Sequence, residues 1–245
     1  MNILGIDIDE SSRDEIHERV DYFLREDAFH RVATVNPEFL VEADRNPEFR
    51  RSLRSADLRV ADGSGVVLVS LLSGRRITRY PGADLLGYIL AKAERRRLPV
   101  FLAVREDGLS SFSEIRNVLL KIFPGLIVGG NEWRMKNGGW ESCEGASFIM
   151  HHASCILLCN FGAPEQEYFL EGLRKEGIPS RLGMGVGGAF DFLTGKRKRA
   201  PGWLRAVGLE WLWRLIREPR RAGRIWNATA VFLWKILLEK KKNSR

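Results

Sequence analysis

Short apolar runs rich in β-branched residues recur along the chain, and polar segments with helical spacing separate them. Arg31 to Val35 reads as a strand, and Asn36-Pro37-Glu38 then opens a helix, with Asn as cap and Pro preorganised for the first turn. Leu58 to Ala61 reads as a second strand, and Asp62-Gly63-Ser64-Gly65 turns the chain into an apolar helix from about Val66 to Leu72. Further strands are expected at Pro99 to Val104, Leu126 to Val128, Cys155 to Cys159 and Arg181 to Val186. Gly162-Ala163-Pro164 opens a helix through Glu167 and Leu170. This strand–helix alternation predicts an α/β domain over residues 1–195, built on a mostly parallel, Rossmann-like sheet with helices on both faces. In such sheets ligands bind beyond the carboxyl ends of the strands. That rule directs attention to Thr34–Asn36, Asp62–Gly65 and Phe161–Gln166.

Residues 196–245 differ in kind. Trp203 to Arg217 reads as one amphipathic helix, Pro219 ends or kinks it, and Arg220 to about Lys241 reads as another. Arg214, Arg217, Arg221 and Arg224 fall at helical spacing, and Trp226, Ala230, Leu233 and Leu237 form an apolar stripe. Charge sharpens the contrast. The chain has 245 residues and a net charge of +8, yet the segment from Lys196 onward alone holds 15 Lys and Arg against 3 Glu. Five of the seven tryptophans lie there too. Basic charge mixed with indole rings suits a membrane surface, so a basic helical membrane-association appendage is expected. A nucleic-acid partner is the competing reading of the charge, but the Trp-rich apolar stripe argues against it.

The remaining bulk features narrow the setting. Met1 to Glu10 lacks a basic leader, no run reaches the roughly 20 apolar residues of a membrane span, and three cysteines cannot all pair with one another. A reduced, cytoplasmic chain is expected, with Cys155 and Cys159 as core residues.

Several residues could carry chemistry. Asp62 is a carboxylate at a strand end, followed by glycines and by a helix whose start favours anions. It reads as a general base for a hydroxyl, or as nothing more than the cap of that helix. Thr34 and Asn36 read as polar clamps for sugar hydroxyls, with a helix cap again the plainer alternative. Gln166, in the first turn of its helix, reads as a recognition amide or as a solvent-facing one. Asp7-Ile8-Asp9 mimics a metal-binding D-x-D but sits in a short alternating stretch. Gly183, Gly185 and Gly188 satisfy G-x-G-x-x-G, a weak match alone, since no acidic residue closes a βαβ unit after it. His151-His152 reads as structural or surface-exposed. No metal site and no cofactor are expected.

Taken in order, the motifs resemble the WecG/TagA/CpsF glycosyltransferases along nearly the whole chain. The resemblance rests on Thr34-Val35-Asn36-Pro37-Glu38-Phe39, on Asp57 through Val66, and on Gly82-Ala83-Asp84-Leu85. It continues through Gly162-Ala163-Pro164-Glu165-Gln166-Glu167, Gly185 through Asp191, Arg199-Ala200-Pro201, Gly208-Leu209-Glu210-Trp211, Arg214 and Glu218-Pro219-Arg220-Arg221. It implies an inverting, metal-independent enzyme that moves N-acetylmannosamine, its uronic acid or a related hexose from a UDP-sugar. The implied acceptor is a saccharide on polyprenyl diphosphate, in surface polysaccharide or teichoic acid assembly. By motif position, Asp62 is the implied base. Thr34, Asn36, Gly63, Gly65, Asp84, Gln166 and Gly187 fall at substrate-site positions. Arg214, Arg217, Arg221 and Arg224 are the implied membrane-proximal groups that meet diphosphate charge. The resemblance further implies a location on the inner face of the cell membrane, no nucleic-acid partner, and compatibility with a homo-oligomer. The chain departs from the family at Ala103-Val104-Arg105-Glu106, at Cys159-Asn160-Phe161 and over Asn131 to Gly145, which leaves the donor sugar open. The alternatives are a nucleic-acid-binding protein with a basic tail and a catalytically inactive membrane scaffold.

Overall fold

The computed structural model describes residues 1–143, 154–218, 223 and 226–243. In chain order the elements are β1 (Asn2–Ile3), β2 (Ile6–Asp7), α1 (Arg13–Phe23), β3 (His30–Val35), α2 (Pro37–Arg45), α3 (Pro47–Arg54), β4 (Leu58–Ala61) and α4 (Ser64–Leu72). Next come α5 (Gly82–Arg96), β5 (Val100–Arg105), α6 (Phe112–Ile122), β6 (Val128–Lys136), β7 (Gly139–Ser142), β8 (Cys155–Cys159), α7 (Glu165–Lys175) and β9 (Ser180–Gly185). The chain ends with α8 (Ala189–Leu193), α9 (Gly202–Ala206), α10 (Glu210–Arg217), a π-helical turn Asn227–Val231 and α11 (Phe232–Asn243).

The main sheet has seven strands in the order β4-β3-β9-β8-β5-β6-β7. Pairings β3–β9, β9–β8, β8–β5 and β5–β6 are parallel, and β6–β7 is antiparallel. The α/β class with a mostly parallel sheet is therefore the observed one. Central strands are buried at nearly every position: all five residues of β8 and the first five of β5 are buried. That is why they read in sequence as unbroken apolar runs rather than as alternation.

The chain divides into two compact units. The first comprises residues 1–13, 34–81 and 199–245, and the second residues 14–33 and 82–198. In the first, α2 and α3 start alike: Asn36 and Asn46 cap them, each side chain accepting from the backbone N–H three residues on, with Pro next. Phe39 and Phe49 meet edge-on at 5.5 Å, and α2 also packs against the π-helical turn and α11. Lys235 pairs with Asp44 there. Asp7 and Asp9 serve this unit structurally. Asp7 accepts from Asn2 at 2.8 Å, and Asp9 accepts from the Arg59 backbone at 2.7 Å. In the second unit, Phe101, Leu157, Cys159, Leu170 and Leu173 share a core, and α6 begins with a full Ser111–Glu114 capping box.

Three expectations need correction. The segment Trp203 to Arg217 is two helices, not one. Gly208 adopts φ +78° between α9 and α10, and its carbonyl accepts from Ser64 Oγ at 2.9 Å. Its missing side chain matters, because a Cβ there would stand 2.9 Å from Ser64 Cβ. The strand expected at Leu126 to Val128 instead runs Val128–Lys136 and returns as β7. Lastly, the second tail helix is not uniformly α-helical, since Asn227–Val231 is a π turn.

Candidate active site

In the first unit the carboxyl ends of β3 and β4 place Thr34, Asn36 and Asp62. Strand ends and helix starts coincide here, so polar side chains sit beside unpaired backbone groups. Thr34 is buried at the end of β3, and Asn36 spends its Oδ1 on the Phe39 N–H at 3.0 Å, a helix cap. The Asp62 N–H donates to the Val35 carbonyl at 2.9 Å, which ties the two strand ends together. Asp62 is half-buried and is not the cap of α4. Gly63 holds that position and supplies no side-chain bond.

The glycines after Asp62 have a definite steric reason. A Cβ on Gly63 would overlap Pro37 Cδ, and one on Gly65 would stand 2.8 Å from Pro37 Cγ. Their bare Cα atoms let the start of α2 press against the Asp62 turn. What remains for a ligand at Gly63 and Gly65 is the backbone, at the amino end of α4, where N–H groups and the helix dipole favour anions.

One arginine missed in the sequence organises this turn. Arg79 Nε donates to the Asp62 carbonyl at 3.2 Å, Nη1 to the Arg205 carbonyl at 2.7 Å and Nη2 to Glu210 Oε2 at 3.2 Å. Glu210 is buried, and its other oxygen accepts from Arg214 at 3.1 Å. Main chain, Arg79, Glu210 and Arg214 thus form one connected path from Asp62 into α10. A clue was available, since Glu210 is one of only three acids in the basic tail. Arg217 is exposed, with its guanidinium 4.9 Å above the Trp213 ring. Arg221 and Arg224 lie outside the described residues, as do His151 and His152.

In the second unit the ends of β8 and β9 place Gln166 and Gly187. Gln166 is buried in the first turn of α7, and its N–H donates to the Gly162 carbonyl at 2.8 Å. The glycine-rich run after Arg181 now separates by role. Gly183 makes room for Phe29 and Leu170, and Gly185 makes room for the Gln166 carboxamide. Gly187 has φ +48° and, among the described residues, no atom within 4 Å of where a Cβ would stand. Of that run, Gly187 is thus the position with open approach. Asp84 lies in the first turn of α5, half-buried.

Beneath Gln166 lies a charged pair that sequence reading did not single out. Arg31 is wholly buried and Glu167 nearly so; Arg31 Nη2 donates to Glu167 Oε2 at 3.0 Å and to the Glu167 carbonyl at 3.1 Å. Burial pushes the Glu167 carboxyl above its ordinary value, and the Arg31 charge opposes that rise. Burial also pushes the neighbouring Cys159 thiol well up, so it is a core group and no nucleophile. Near the end of β5, Arg105 is engaged with Asp107, and Trp140 of β7 stacks on Phe161 with ring centroids 3.8 Å apart.

A half-buried carboxylate beside helix starts, with Arg79 on its main chain, can act as an acid or base toward a bound ligand. The model of the family described as "Glycosyl transferase WecG/TagA/CpsF family" matches residues 1–245. A protein of Bacillus spizizenii named N-acetylglucosaminyldiphosphoundecaprenol N-acetyl-beta-D-mannosaminyltransferase is 33% identical over 198 residues, covering 79% of this chain and 74% of the relative. On the strength of both matches, the chain belongs to the WecG/TagA/CpsF family of glycosyltransferases.

Proposed function

We propose that the protein transfers N-acetylmannosamine from a UDP donor to an N-acetylglucosamine carried on polyprenyl diphosphate, with inversion and without a metal ion, in the assembly of a cell-surface polymer. The observation that carries this reading is the similarity to the Bacillus spizizenii enzyme, whose name states that sugar and that acceptor. In this reading the Asp62 carboxylate takes the proton of the acceptor hydroxyl. That oxygen bonds to the anomeric carbon as the bond to UDP breaks on the opposite face. The departing diphosphate gathers negative charge, which needs nearby donors. Arg214 and Arg217 are the described arginines proposed for that task, and planar guanidinium groups suit phosphate. Arg221 and Arg224 are proposed with them on sequence grounds. Thr34, Asn36, Gly63, Gly65, Asp84, Gln166 and Gly187 are proposed to line the substrate sites.

The tail is proposed to lie on the inner face of the membrane, where the lipid-linked acceptor is found. No helix among the described residues is long and apolar enough to cross a membrane. Support for surface attachment comes from Trp203, Trp226, Trp234, Leu237 and Leu238, all exposed among basic residues.

A donor screen tests the reading. Full-length protein is mixed with a short-chain lipid-diphosphate-GlcNAc and a panel of UDP-sugars in the presence of chelator, and product mass and UDP release are read together. Transfer from UDP-N-acetylmannosamine under chelation is the expected result. Transfer from another donor alone, or only after metal is restored, overturns the corresponding part.

A further inference from the structure

Gln166 is the only glutamine in the chain, and its carboxamide is oddly placed for a solvent-facing group. It is 3% exposed. Its Nε2 donates to Glu167 Oε1 at 3.3 Å, while its Oε1, buried, has no hydrogen-bond partner among the described residues. A buried acceptor left open costs free energy unless something else fills it. The amide lies against bare Gly185, where a Cβ would overlap it. Gly162, with φ +83°, opens the adjoining strand end, and a Cβ there too would have no atom of the described residues within 4 Å.

The Arg31–Glu167 pair explains which way this amide faces. A carboxylate accepts only, and each Glu167 oxygen has a donor: Arg31 on Oε2 and Gln166 on Oε1. The NH2 group of Gln166 must therefore face Glu167, which leaves the carbonyl oxygen as the buried acceptor with no hydrogen-bond partner among the described residues. With Glu167 removed, the amide could turn over and offer N–H groups instead.

We propose that Arg31 and Glu167 are positioning residues that lock the Gln166 carboxamide with its oxygen toward the ligand, so that the site takes an N–H of the donor, such as a ring imide or an acetamido group. This rests on the proposed reading of Gln166 as a substrate-site residue and assigns it to the sugar-nucleotide donor. It assigns to a buried ion pair, outside the reacting groups, control over the polarity of recognition.

The test uses full-length protein labelled with 15N in glutamine side chains, which gives one NH2 pair. The variants are Arg31→Met/Glu167→Met, which removes both charges together, and Glu167→Asp, which keeps the pair but draws the carboxylate back from Gln166. In the wild type the NH2 pair is expected to be held in one orientation and slow to exchange with solvent. In either variant that folds, it shifts and exchanges faster, KM for the UDP-sugar rises about tenfold, and kcat stays within about twofold. In a Gln166→Met background, removal of the pair leaves KM where Gln166→Met alone has put it. An unchanged amide signal in the variants overturns the proposal, as does an equal further rise in KM without Gln166. If the wild type turns over no UDP-sugar, the donor reading fails, and the amide signal still decides whether the pair positions Gln166.

Discussion

Asp62 stands on a glycine-flanked turn, half-buried, with its main chain fixed by Val35 and Arg79. Glu167 stands at 1% exposure with a donor on each carboxylate oxygen. Both are carboxylates that follow a strand of the main sheet, Asp62 directly after β4 and Glu167 in the first turn of α7 after β8, yet their surroundings suit opposite tasks. A base must meet substrate and be able to take its proton, which requires access and a stiff backbone more than a strong local field. A fully enclosed carboxylate is of little use for that. Its desolvation is offset only while both partners stay in place, so it serves to hold neighbours in one arrangement. Access, more than the presence of a carboxylate, separates the residue proposed for chemistry from the one proposed for positioning.

The largest effect is expected from removing one partner of the buried pair. Glu167→Ala leaves the buried Arg31 with the longer contact to Glu171, at 4.0 Å, and should cost about 3–5 kcal/mol, a large part of a typical stability. Replacing both residues by Met should cost far less, since an apolar pair of similar volume is often neutral. Urea titration of the two variants checks this, and equal losses would contradict the account. On the other side, Gly63→Ala should cost about 1–3 kcal/mol, because the new methyl overlaps Pro37 Cδ and pries α2 from the Asp62 turn. Thermal melting together with a transfer assay measures it, and both stability and rate should fall.

A smaller effect separates enclosed from half-open carboxylates by pH. Glu167 is raised from 4.5, chiefly by burial, so its contribution disfavours the folded state increasingly as pH rises through and above that value. Asp21 behaves oppositely. Burial would raise it, but the hydrogen bond and charge of Lys92, with Arg96 and Tyr88, bring it below 3.8. Its stabilisation is present above pH 3.8 and is lost as pH falls through the lower folded value. Asp21→Asn should therefore flatten the acid limb of the stability curve, whereas Arg31→Met/Glu167→Met should flatten the limb above pH 4.5. The reverse pattern would contradict the assigned environments.

The sheet was largely legible because buried parallel strands cannot hide their apolar runs. Leu58–Ala61 and Cys155–Cys159 have the expected bounds, and β3, β5 and β9 differ by a residue or so at their ends. What escaped was polar or bent. β6 carries Gly129, Gly130, Asn131 and Glu132, so it does not look like a strand, although Asn137-Gly138, both at positive φ, was a readable hairpin signal. Gly208 inside a helical pattern was legible as a weak point but not as a break. The break depends on Ser64, which is remote in sequence. Asp62, the proposed base, stands out in sequence by its place at a strand end, where a helix cap was the other reading until Gly63 proved to hold that position. Arg79 does not stand out, because its role lies in three bonds to groups scattered over the first unit. Arg31 resembled any strand-leading charge until its burial against Glu167 was seen.

Whether Asp62 takes the acceptor proton, as proposed, is decided by single-turnover transfer by Asp62→Asn beside UDP binding and thermal melting of the same protein. The amide keeps the size of the side chain and removes the base. The rate should fall by about 10²–10⁴, with UDP affinity and melting temperature essentially those of the wild type. Transfer at the wild-type rate would contradict the proposal.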